Sequence, residues 1–133
     1  MSEALLDALR AASSPHLGAI EQSLAAGRTA QGSGMRASIP ELLSTYRLRR
    51  DHVARFRSAH AEALHRDVAA LVHSLERTKS QSCEILSVEA GETPPRSYVI
   101  FFVPEEGRLL GCFATVSRFA VSERDWADLW GDT

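Results

Sequence analysis

The sequence predicts an α+β protein: two short N-terminal helices, one long amphipathic helix, a three-stranded antiparallel sheet and a short C-terminal helix. Three observations carry that expectation. The apolar spacing is helical as far as residue 79 and becomes strand-like after it. A chain of 133 residues, 44% hydrophobic and 24% charged, has the size and balance of a single globular domain, 1–133. PEEG, 104–107, lies between two apolar runs as a hairpin turn should.

The first 26 residues read as the two short helices. In SEALLDALRAA, Leu5, Leu6 and Leu9 share a face; in the second helix Ser14 is the expected cap, Pro15 opens the first turn, and Leu17, Ile20 and Leu24 form the buried stripe. GRTAQGSGMRA, 27–37, has three glycines and no period, which predicts a flexible loop. SIPE then begins the long helix, 38–79, with Ser38 and Glu41 as a capping box and Pro40 in the first turn. Its apolar or small stripe runs through Leu42, Tyr46, Val53, Phe56, Ala63 or Leu64, Val68, Leu71 and Leu75. Unbroken, it would hold about 40 residues over about 60 Å. A domain of this size cannot bury such a helix alone, so either the N-terminal helices or a second copy should fold along it. A homodimer is expected on that ground.

The sheet, 82–121, is built from CEILSVEA, SYVIFFV and RLLGCFATV, rich in aromatic and β-branched residues. The last two are apolar on both faces, so helix should cover one side and part of the other. Ser122 restarts helical spacing for the closing helix, 122–131, with Trp126, Leu129 and Trp130 on one side.

Charge is unevenly spread. Residues 1–80 hold 11 basic and 8 acidic side chains, whereas 81–133 hold 4 and 9. No basic segment precedes an apolar run at the start, and YVIFFV is too short to span a bilayer. A cytoplasmic protein without membrane contact is expected. Cys83 and Cys112 fall inside apolar strands and read as small buried hydrophobes.

Along the predicted long helix, Arg50 and Arg57 fall near the centre of the apolar stripe, with Arg49 and His60 at its edge. An unpaired buried charge is costly. The ordinary explanation is an ion pair with Glu84, Glu89, Asp125 or Asp128, or Arg stems that snorkel to solvent. The functional one is a recess formed by Arg49, Arg50, Arg57 and His60 for a small anion or an acidic partner. Nucleic acid is a weaker candidate, because five arginines between 47 and 57 point around most of the helix and the isoelectric point is about 6.2.

His52, His60, His65 and His73 are spaced eight, five and eight apart, which brings no two neighbours onto one face for a metal. GSGMRA, 32–37, matches a dinucleotide pattern in letters only, with no strand expected before it. Trp126, Leu129 and Trp130 among acidic residues suit either a core seal or a segment that docks in a partner groove. No nucleophile–base arrangement or carboxylate pair emerges from the spacing. The expectation is a non-enzymatic adaptor, regulator or inhibitor that binds another protein, without metal or cofactor.

Overall fold

The computed structural model describes residues 2–26, 31–57, 59–90 and 96–116. In chain order these form α1 (Ser2–Ala11), α2 (Leu17–Ala25), β1 (Gln31–Ser38), α3 (Ile39–Val53), α4 (Ala59–Arg77), β2 (Ser82–Ala90), β3 (Arg96–Val103) and β4 (Arg108–Val116). The strands make one antiparallel sheet in the order β1-β2-β3-β4. No helix among the described residues is long and apolar enough to cross a membrane.

Alternation along the strands divides the apolar side chains between two cores. Leu86, Val88, Tyr98, Ile100, Phe102 and Cys112 face α1 and α2, where Leu5, Leu9 and Ile20 meet them. Cys83, Phe101, Val103 and Phe113 face α3 and α4, against Leu42, Val53, Leu64, Val68, Leu71 and Leu75. The architecture is therefore three-layered, helix pair on sheet on helix pair. The two-sided apolar character of β3 and β4 is what demands both coverings.

Four strands replace the expected three. The glycine-rich stretch expected to be a loop is β1, at least from Gln31 to Ser38, because β2 has an open edge whose backbone groups need partners. Its register shifts between Gln31 and Met35. An irregular edge strand tolerates glycine and lacks the alternation that advertises a strand in sequence.

The single long helix is also corrected. It is two helices, α3 of 15 residues and α4 of 19, packed against each other as a hairpin. The chain thus covers its own stripe, and the N-terminal helices lie on the opposite face of the sheet. Ser38 does occupy the N-cap of α3, with Pro40 in the first turn, but its side chain makes no capping hydrogen bond. Ile39 N–H instead donates to Gln81 O at 2.9 Å, tying the helix start to the approach of β2.

Local backbone rules set the turns. α1 ends as a Schellman motif: Ser13 N–H donates to Arg10 O and Ser14 N–H to Leu9 O, with Ser13 at φ 55 in the left-handed region. Between β3 and β4, Glu106 N–H donates to Val103 O, and Gly107 takes φ 60. On β4 a bulge follows: Phe101 pairs with Gly111 but Phe102 with Leu109, leaving Leu110 as the extra residue. Leu110 is thereby redirected into the α3/α4 core.

At Gly111, α4 lies close against the sheet. A Cβ there would stand 2.8 Å from Leu71 Cβ and 3.0 Å from Leu71 Cα, so the helix backbone itself would have to shift. Gly111→Ala should cost about 1–3 kcal/mol by overpacking. Gly18 on α2 has open space around its Cβ position, so Gly18→Ala should instead gain about 0.4–1 kcal/mol. Urea denaturation of the two variants checks both signs.

Candidate interaction site

The end of α3 and the start of α4 enclose an open recess. α3 closes through Ala54 N–H to Arg50 O, after which Arg55 N–H donates to His52 O and Phe56 N–H to Val53 O, tightening the last turn. Val53 is fully buried beneath this turn. Phe56 swings outward, 37% exposed, with its ring edge-on to His52 at 5.3 Å. Between Val53, Ala54 and Phe56 on one side and Ala61, Glu62, His65 and Arg66 on the other lies an open recess of about 430 Å³. Its floor is apolar and its rim carries charge, and exposed Arg55 and Arg57 flank Phe56.

The arginines singled out in the sequence do not converge there. Arg49 lies over the Tyr46 ring, 5.8 Å from its centroid, and Arg50 Nε donates to Asp51 Oδ1 at 3.1 Å. Arg57 is exposed in the link between the helices, not on a buried stripe. The reason is the helix break: the stripe turns polar at Arg57 because the helix has ended there. His60 belongs to the first turn of α4, and its side chain lies outside the described residues, as do Trp126, Leu129 and Trp130.

Further along the hairpin, Arg47 donates to Glu76 at 2.7 Å, and that hydrogen bond holds the Glu76 carboxyl below the usual carboxylate range. Both groups are well exposed, so the pair contributes little to stability. Tyr46 anchors α3 from within, edge-on to Phe101 at 5.3 Å, and burial raises its phenol.

A second arrangement was invisible to sequence reasoning. His16, at the start of α2, pairs through Nε2 with Asp67 Oδ2 of α4 at 2.9 Å, both largely shielded, while its ring leans on Tyr98. The loop between α1 and α2 thus passes the outer edge of β4 and reaches the far helical layer. Beside it is a groove of about 220 Å³, lined by residues including Pro15, Asp67, Ser74, Leu110 and Cys112. That volume suits a side chain better than a small-molecule ligand. The only sequence hints were a lone histidine and a lone aspartate 51 positions apart.

Cysteine, histidine and aspartate in one neighbourhood suggest nucleophilic chemistry, but the electrostatics oppose it. Burial, with Asp67 adding to it, pushes the Cys112 thiol up to about 12, and burial pushes Cys83 up to about 11. A nucleophilic cysteine needs the reverse, a thiolate stabilised by a nearby cation. The His16–Asp67 pair acts as a tether between layers. No group of three or more metal-ligating side chains assembles among the described residues.

Two measurements test this account. His16→Ala should cost about 1.5–3 kcal/mol in chemical denaturation, the range for losing a hydrogen bond to a charged group. Both thiols should resist a disulfide reagent at pH 8 in the native protein and react once it is unfolded. Because the unfolded thiols ionise near 9.0 and the folded ones near 11 and 12, stability should fall as pH climbs from 9.0 toward 12.

No protein-family model matches the chain, and the comparisons with curated proteins and with solved structures likewise return no match.

Proposed function

We propose that the protein is a non-enzymatic interaction module that binds an acidic segment of another protein at the α3–α4 hairpin tip. The observation that carries this reading is the recess itself: an apolar floor at Val53 and Ala61, an outward aromatic at Phe56, and cationic Arg66 on the rim. An amphipathic segment with one large apolar anchor and flanking carboxylates matches that surface. Arg55 and Arg57 extend the cationic surround.

Leu48, 71% exposed on α3, gives the hairpin a further apolar contact point. The α3–α4 hairpin and the sheet cover the apolar stripe between them, so a second copy on this face would meet Leu48 and Phe56 instead. Two buried, unpaired cysteines suit the reducing cytoplasm in which such an adaptor or regulator would work.

A small-anion sensor is the second reading. It is favoured by the recess volume, which falls within the range of ligand pockets, and opposed by Glu62 in the lining. A melting shift with phosphate or a dicarboxylate would support it.

Affinity purification from the native cell, compared by quantitative mass spectrometry, tests the main reading. Phe56→Asp and Arg66→Glu should reduce capture of at least one protein about tenfold or more, equivalent to about 1.4 kcal/mol or more. Arg36→Ala, on β1 in the ion pair with Glu105, should leave capture unchanged. Equal capture by every variant would sink the proposal.

A further inference from the structure

We infer that the groove beside β4 is a docking site for the free N-terminus of an extended polypeptide, which adds a short antiparallel strand to β4 and places its ammonium group at Asp67. This site is separate from the recess at the hairpin tip.

The backbone supplies the first half of the argument. β4 is a terminal strand of the sheet, so alternate N–H and C=O groups along its outer edge point away from β3. The groove of about 220 Å³ follows that edge over residues 109–112, between the α1–α2 loop on one side and α4 on the other. Among the described residues, no turn or loop hydrogen bond takes up the backbone groups of 109–112. Ala12 and Ser14 belong to one wall and Ala70 and Ser74 to the other, and side chains that short leave a slot beside the strand. The slot runs for about 10 Å, room for about three residues of an added strand.

Polarity and direction supply the second half. One end of the groove is closed where His16 Nε2 meets Asp67 Oδ2 at 2.9 Å, so a chain lying along β4 must end there. Among the described residues that line the groove, Asp67 alone is charged, and its Oδ1 accepts no hydrogen bond. A carboxylate with an open acceptor selects an ammonium group over a second carboxylate, and hence an N-terminus over a C-terminus. A chain that starts at Asp67 and leaves past Leu109 runs against β4, which advances from Arg108 to Val116. The added pair is therefore antiparallel, as are the pairs already in the sheet. Main-chain hydrogen bonds hold such a strand, and the acid at the closed end specifies which part of a chain it is.

A resin-bound library of tetrapeptides, attached through their C-termini and free at the N-terminus, provides the probe. Labelled protein should be retained by a subset of beads. The recovered peptides, resynthesised, should shift the amide resonances of residues 109–112 and slow their hydrogen exchange. N-acetylation of those peptides should weaken binding about tenfold or more, as loss of a hydrogen bond to a charged group does. Asp67→Asn should weaken it to a similar degree. Because that variant also alters the contact with His16, Ala70→Phe serves as a second one: at an exposed position on the wall, it should abolish binding by filling the slot. Arg66→Glu, at the hairpin tip, should change nothing.

Peptides that bind equally well after acetylation would overturn the inference, as would resonance shifts that survive Ala70→Phe, or a library from which no bead retains the protein. Shifts at 109–112 produced by concentrating the protein alone, with a dimer in light scattering, would assign the β4 edge to a second copy and overturn it as well.

Discussion

β3 is apolar on both faces, and the rest of the fold answers that constraint. Tyr98, Ile100 and Phe102 must be shielded on one side, Phe101 and Val103 on the other, and one helical layer cannot do both. The chain supplies α1 and α2 for the first face and the α3–α4 hairpin for the second. A missing side chain permits one close approach: the absence of a Cβ at Gly111 lets Leu71 bring the α4 backbone up against the strand. The His16–Asp67 contact joins the two helical layers around the β4 edge.

The same constraint explains the break after Val53. A straight helix of that length would project past the sheet with its stripe uncovered. Folding it in half lets Leu42 and Tyr46 share one core with Leu64, Val68, Leu71 and Leu75. The turn leaves Phe56 and the neighbouring arginines at the periphery, where no core demands their burial. The proposed binding surface is thus a by-product of how the hairpin closes.

Much of this was readable in the residues. The strands β2, β3 and β4 were expected within a residue of their observed bounds, because a run such as YVIFFV buries on both faces and PEEG turns in the way that Gly107 permits. The short helices were legible from Leu5, Leu9 and Ile20, although α2 begins at Leu17 with His16 at its N-cap, not at Pro15 behind Ser14. β1 was not, since its glycines and polar residues form a strand only because β2 offers a partner. The helix break left an anomaly, charge at Arg57 on an apparent stripe. With no glycine or proline to mark a stop, the sequence pattern alone places that charge on a continuous helix. The recess and the His16–Asp67 contact draw on separate elements, and a linear pattern contains no information about which of them meet.

The placement of β1 has a consequence for how the chain finds its structure. β2, β3 and β4 are joined by short connections and can pair locally, whereas Ser38 meets Ser82 only after the whole hairpin of helices has been threaded between them. The closure entropy of that excursion must be met before any β1 pairing is gained. β1 is therefore placed to join late, after α3 and α4 have collapsed onto the three-stranded meander. Until then the edge of β2 stays open, and this is the stage at which the nascent sheet is most exposed to pairing with a strand from another molecule.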